Sequence, residues 1–313
     1  MCTGLLATGG GGGAGAGAGA DARARGLAPT VLAFNRDEDF GRATERAGWR
    51  GGVLAGWDTR AGGTWLGVSR LGRLACLTNV REAPGPPPPP AGAPSRGGLP
   101  LLYLQGEGAS APGEFLRGLA AGGFGGCALE SLAGFNLVCC DLVSGEAALL
   151  SNRGPLAGLP QELAPAGRQF VQGFSNGPPG TPEWAKVARG RRKLKALWRP
   201  EMTADDLLEA VLVDVLGCRE KAASKGELPS TGMPEEVEMA MSSIFVEDDP
   251  GMCRRNLRCE HYGTRCSTIV VASPSGAVTF HESRREPDGT WVRQRFDFCI
   301  EPPGSSAAGR IGF

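Results

Sequence analysis

A cysteine directly behind an initiating methionine is the residue of this chain best equipped for chemistry. Removal of Met1 would leave Cys2 carrying a sulfur nucleophile and a free α-amine on one residue. Such an amine, with a reference pKa of roughly 7.7–8.0, can take the thiol proton when a substrate carbonyl is presented. The small side chain of Cys2 permits that removal. The competing reading makes Cys2 a small apolar residue opening a strand over residues 2–7.

Other residue types support a site at strand ends. Asn35, Arg36, Asp37 and Glu38 follow a strand-like run at residues 30–34, where charges are costly unless partnered or solvated. An acidic group there could hold the Cys2 amine by a charge-assisted hydrogen bond; the alternative is a polar turn. Gly62 and Gly63 precede Thr64, Trp65, Leu66 and Gly67, and permit positive φ or close backbone approach. Asn79 and Asn176 each end a strand pattern, and an amide donates N–H groups to an oxyanion without bringing charge. Each could equally be a turn residue. Arg265 introduces the strand-like residues 267–272 and places a fixed positive charge at a strand mouth, for a substrate carboxylate or for Asp37.

Several chemistries are not supported. Cys253, Cys259, His261 and Cys266 fit no usual zinc spacing, so no metal site is predicted. The glycines at 62–67 lack the Gly-Lys-Ser/Thr of a phosphate loop, no G-x-S-x-G elbow occurs, and no cofactor is predicted. Cys139 and Cys140 would point to opposite faces of one strand. Lys plus Arg total 33 and Asp plus Glu total 33, which provides no net charge for nucleic acid. No run of roughly 20 apolar residues predicts an integral membrane segment. Ten cysteines in 313 residues are too dilute for a disulfide scaffold and read as reduced thiols of a cytosolic protein. Arg23 and Arg25, in a nearly acid-free leader, resemble an organelle transit segment.

The elements that must position these residues are mostly strands. Residues 64–69, a turn at 71–72 and residues 73–80 read as a hairpin. Further strands are expected at 135–141, 147–151, 168–174, 267–272, 277–282 and 290–298, making two or more antiparallel sheets. Thr203 with Asp206 three residues on predicts a capped helix through Leu216, stopped by Gly217. A second helix, 182–198, carries Lys186, Arg189, Arg191, Arg192, Lys193 and Lys195, and reads as a solvated basic face. Strands at both ends with helices between predict an α+β layer fold. Residues 1–300 are expected to form a single domain. The Gly/Ala run at 9–26 would be an inflated hairpin loop, 84–94 a proline-rich surface insertion and 301–313 a disordered tail.

Together, Met1-Cys2, Asn35 to Glu38, Gly62 to Gly67, Leu77-Thr78-Asn79, Gly134 to Leu137, Ser151 to Gly154, Ser175-Asn176 and Tyr262 to Arg265 resemble the NRDE family, the transport and Golgi organization protein two homologues. The resemblance implies a four-layer αββα sandwich of two antiparallel sheets, like N-terminal-nucleophile hydrolases. It also implies links to Golgi organisation, protein secretion and lipid, acyl-coenzyme A or haem homeostasis, in cytoplasm, at the Golgi or in mitochondria. The ligand would be a small molecule or lipid-like, such as acyl-coenzyme A or haem; protein partners are not indicated. The opening residues are also similar to bile-salt hydrolases and penicillin acylases, which cleave non-peptide amides through such a cysteine. That likeness carries catalytic roles onto Cys2, Asp37, Asn79, Asn176 and Arg265; Asn35, Arg36 and Trp65 are expected to bind substrate. In those enzymes an arginine lies three residues before the aspartate. Phe34 stands there in this chain, and Arg36, adjacent to Asp37, is expected on a different face of the strand. The alternative to a hydrolase of amide or thioester bonds is a non-enzymatic carrier of haem or acyl-lipid in the same pocket.

Overall fold

The computed structural model describes residues 2–9, 29–82, 92–106, 110–164, 169–199, 202–257 and 259–302. The expected insertions and tail lie almost wholly outside these residues. Among the described residues the strands form two antiparallel sheets. The first sheet uses β1 (Cys2–Gly9), β2 (Thr30–Asp39), β10 (Gln169–Phe174), β11 (Tyr262–Ala272), β12 (Ala277–Arg285) and β13 (Trp291–Cys299), in the order β10-β1-β2-β11-β12-β13. The second runs β3 (Thr44–Arg50), β4 (Val53–Asp58), β5 (Leu66–Ser69), β6 (Arg73–Asn79), β7 (Phe135–Asp141), β8 (Ala147–Ser151) and β9 (Gln161–Ala164), each beside the next.

Alternation along each strand sorts the side chains into three layers of core. Leu6, Leu32, Phe34 and Phe280 of the first sheet meet Leu54, Val68, Leu74, Cys76 and Val138 of the second, forming the inter-sheet core. The outer face of the second sheet packs Ala75, Leu77, Leu137 and Leu150 against helices α1 (Gly98–Leu104) and α2 (Pro112–Gly122). On the outer face of the first sheet, Leu5, Ala7, Val31, Ala33 and Ile269 pack against α3 (Ala185–Leu197) and α4 (Ala204–Ala210, continued as a π-helical turn over Val211–Leu216). The molecule is therefore the four-layer αββα sandwich, an α+β fold. Cys139 lies in the outer core and Cys140 in the inter-sheet core, as the period of two requires.

Local chemistry explains the elements. Thr203 caps α4 in a reciprocal capping box with Asp206. Helix α3 can lie close on β1 because Gly190 faces Leu5: a Cβ there would come within 2.8 Å of that side chain. β3, β4 and β9 are not among the expected strands; β3 is hidden because it is a charged strand, with a bulge between Glu45 and Gly48 and only Ala47 buried.

Two expectations need correcting. The segment Asn35 to Glu38 does not follow the second strand but continues it, because β11 pairs alongside as far as Asp39 and supplies partners for its polar groups. The face assigned to Arg36 was also wrong. Phe34 and Arg36 are two residues apart and share the inter-sheet face, Phe34 pairing with Gly4 and Arg36 with Cys2. Phe34 is fully buried with its ring centroid 6.5 Å from that of Phe174. A Phe34→Ala variant is therefore expected to lose about 3–5 kcal/mol of unfolding free energy, measured by urea denaturation.

Candidate active site

The site is assembled at one end of the sandwich, where β1 begins. Cys2 opens β1, one strand in from the edge of the first sheet, across from Arg36 of β2, and is buried. Its backbone N–H donates to Asn176 Oδ1 at 3.0 Å, and its carbonyl accepts from Ser175 Oγ at 2.6 Å. Asn176, just past β10, uses its other amide end to donate to the Asn79 carbonyl at 2.6 Å. One obligate donor and one obligate acceptor thus fix which end of the amide is which. The bond to Asn79 ties the two sheets together beside Cys2. Thr78 Oγ1 and Asn136 Nδ2 complete the tie by donating to the Ser175 carbonyl at 2.6 and 3.0 Å.

Asp37 is fully enclosed behind this point. Thr264 Oγ1, opposite it on β11, donates to its Oδ1 at 2.7 Å, and Tyr262 Oη donates to its carbonyl at 2.9 Å. Burial pushes the carboxyl above its ordinary range, and the nearby Lys186 ammonium is the main force pulling it back. The Cys2 thiol is likewise raised by burial and by the Asp37 carboxylate. Arg36 and the Asp37 backbone N–H act the other way.

A cavity of about 170 Å³ opens over Cys2, lined by Arg36, Trp65, Asn79, Asp58, Arg42 and Arg96 among others. The Arg36 guanidinium stacks 4.1 Å above the Trp65 ring and pairs with Glu38 at 3.2 Å. Arg42 pairs with Asp58 at 2.7 Å. Arg96 donates to the Gly134 carbonyl at 2.6 Å, and no carboxylate comes within ion-pair distance of it among the described residues. Its pKa is lowered by burial and by neighbouring Arg42. The segment carrying Arg96 is set by Gly63, whose φ is +83°. A Cβ there would lie 2.3 Å from the Gly97 carbonyl, which accepts from Thr64 N–H at 2.9 Å.

Residues 21–287 match the family model described as "Transport and Golgi organisation 2". The chain belongs to that family. The human transport and Golgi organization protein 2 homolog is 31% identical over 283 residues, which cover 87% of this chain and 92% of that protein. The mouse homolog is 29% identical over the same shares. A mutant conjugated bile acid hydrolase from Clostridium perfringens superposes with TM-score 0.40 and 11% identity, over 99% of this chain and 95% of that one. At that TM-score the likeness says nothing of chemistry.

In this member of the transport and Golgi organisation 2 family, the expected residues divide into two groups. Cys2, Asp37, Asn79, Arg36 and Trp65 line one pocket, and Asn176 lies behind it, bonded to Cys2 and Asn79. Asn35 does not: it faces the opposite side of the sheet, donating to the Leu216 and Ile244 carbonyls at 2.8 and 3.0 Å and accepting from Ser267 Oγ. It anchors α4 to β2 and cannot touch a ligand beside Cys2. Nor does Arg265 pair with Asp37. It sits at a bulge in β11, donates to the Asp39 and Arg42 carbonyls, and lines a neighbouring cavity with Phe40 and His261.

The sequence does not single out Arg42 or Arg96, and it leaves the roles of Tyr262, Thr264 and Lys186 unread. The helix read as a solvated basic face buries both Lys186 and Arg189. A signal was available, because Lys186, Gly190 and Leu194 recur every four residues on the row that meets the sheet.

Gly63 and Gly62 make a matched pair for mutation. Gly62 also has positive φ but open space around it. Gly63→Ala is expected to cost more than the roughly 1–3 kcal/mol of backbone strain that limits Gly62→Ala, compared side by side in urea.

Proposed function

We propose that this protein is an N-terminal cysteine hydrolase of non-peptide amide or thioester bonds, serving the lipid and acyl chemistry that supports Golgi organisation and secretion. The observation that carries this reading is the 3.0 Å bond from Cys2 nitrogen to Asn176 Oδ1. Removal of Met1 turns that same nitrogen into the α-amine, held in place beside its own sulfur. The amine takes the thiol proton, and the sulfur forms a bond to the substrate carbonyl carbon. The leaving nitrogen or sulfur then receives the proton as its bond to that carbon breaks. Asn79 is the better oxyanion donor of the two asparagines: it is exposed at the cavity, and its side-chain amide is unused among the described residues, whereas both ends of the Asn176 amide are engaged. Asn176 instead orients the nucleophile. Water then releases the acyl group from Cys2. No helix among the described residues is long and apolar enough to cross a membrane, and the proposed place of action is the cytoplasm, at Golgi or mitochondrial surfaces.

The test uses intact mass and a short acyl thioester as probe. Loss of Met1, turnover by the mature protein and none by Cys2→Ala are expected; retention of Met1 or undiminished turnover by Cys2→Ala sinks the reading.

Arg96 favours a second reading, a non-enzymatic carrier of acyl-coenzyme A or haem. A guanidinium without a carboxylate beside a cavity suits the phosphates or carboxylates of those ligands. Equilibrium titration separates the two. A carrier binds one of these ligands saturably without turning it over, and Arg96→Met weakens binding by roughly tenfold, about 1.4 kcal/mol. Absence of saturable binding of either ligand removes it.

A further inference from the structure

Lys186 opens α3, on the outer face of the first sheet, and is buried with only 2% of its surface exposed. Its Nζ makes no hydrogen bond among the described residues. The first turn of a helix is also the wrong end for a cation. Lys186 Nζ lies 5.9 Å from the centre of the Trp184 ring, and a buried ammonium with that one contact and no hydrogen bond costs stability and needs a reason.

The charges around it supply one. Arg81, from the segment after β6, and Glu238, from α5 (Glu235–Ala240), line a small cavity with it, and the charges of Asp37 on β2 and Cys2 on β1 also act on its ammonium. Arg81 and Glu238 already form an ion pair with each other, and Thr231 also donates to Glu238. Arg81 is further stacked 4.7 Å over Trp184. Among the four neighbours, Asp37 acts most strongly on Lys186, and after burial Lys186 acts most strongly on Asp37. Burial lowers the Lys186 ammonium to about 8, with Asp37 opposing the fall, so it keeps its charge at neutral pH.

We propose that Lys186 is the counter-charge of Asp37 and thereby a positioning residue for the Cys2 amine. Its ammonium balances the Asp37 carboxylate, so the amine freed by Met1 removal stays unprotonated at neutral pH and can take the proton of the Cys2 sulfur. This rests on the reading of Cys2 as an N-terminal nucleophile. With Asp37 alone nearby, the carboxylate would stabilise the amine as ammonium and leave it no capacity to accept a proton. The step balances within one residue: the S–H bond breaks, the nitrogen gains the proton, and the sulfur electron pair forms the bond to the carbonyl carbon.

The sign of the pH effect follows. Removing the counter-charge of Asp37 leaves that carboxylate's field on the amine and the sulfur uncompensated and raises the pKa of both, so the reactive form appears at higher pH. The experiment follows alkylation of Cys2 by iodoacetamide from pH 5 to 10, by peptide mass spectrometry, on mature full-length protein. Lys186→Met is expected to move the midpoint up by about one pH unit and to slow alkylation at pH 7 about tenfold. Lys186→Arg should restore the wild-type midpoint. A wild-type midpoint in a natively folded Lys186→Met, or an equal upward shift in Lys186→Arg, overturns the proposal. Lys186→Gln, with a neutral hydrogen-bonding end, repeats the measurement should the Met variant not fold. Absence of thioester turnover with the midpoint shift intact removes the hydrolase reading alone. Intact turnover with an unmoved midpoint removes Lys186 alone.

Discussion

The register of β1 against β2 is the constraint on which the site depends. Cys2 faces Arg36 across that pair, which places both side chains between the sheets. A slip of one residue would turn Cys2 toward the helices and carry Thr3 into the cavity. Several contacts hold the register. Phe174 packs over Gly4, where a Cβ would approach within 2.3 Å of its ring. Ser175 and Asn176 grip the backbone of Cys2 from the other neighbouring strand. The site is therefore built on a strand pair whose residues 2–8 and 30–37 are all buried, where small errors of position are poorly tolerated.

Behind that register lies an unusual amount of buried charge. Asp37, Lys186, Arg81 and Glu238 are all within a few per cent of complete burial, or nearly so by side chain. Burying such groups opposes folding unless they are paired and hydrogen-bonded, and a hydrophobic set of equal volume would often be more stable. Arg81 with Glu238, and Asp37 with Thr264, satisfy part of the demand. The remainder falls on Lys186. Asp37 and Lys186 belong both to this buried set and to the charges that act with Cys2, an overlap common where a site needs shifted proton affinities.

The sequence revealed the strands well where alternation and turn residues were strong. β7, β8 and the hairpin of β5 and β6 lie where the apolar pattern puts them. It revealed β3 poorly because most of that strand faces solvent. The convergence of Cys2 with Asp37, Asn79 and Asn176 was legible from their positions at strand ends. What each asparagine does was not, because it depends on which amide end meets which backbone group across 174 and 97 residues of chain. The misplacement of Asn35 has the opposite cause. Neighbouring polar residues in one strand look equivalent in sequence, yet alternation sends Asn35 to the helices and Arg36 to the cavity. Lys186 was hidden by its company, since five other basic residues on the same helix suggest solvent.

The contact of Gly63 with Gly97 has a consequence for how the chain can vary. Gly97 follows directly on Arg96, and Thr64 holds its carbonyl. The proline-rich segment lies just upstream, between β6 and this clamp. A backbone fastened at Gly97 and a guanidinium fastened to the Gly134 carbonyl isolate the cavity from whatever length of chain arrives there. Proline residues could be gained or lost before residue 95 while Arg96 kept its place over Cys2. The clamp works as a mechanical buffer, letting one part of the chain drift in length while the chemistry a few residues away stays in fixed coordinates.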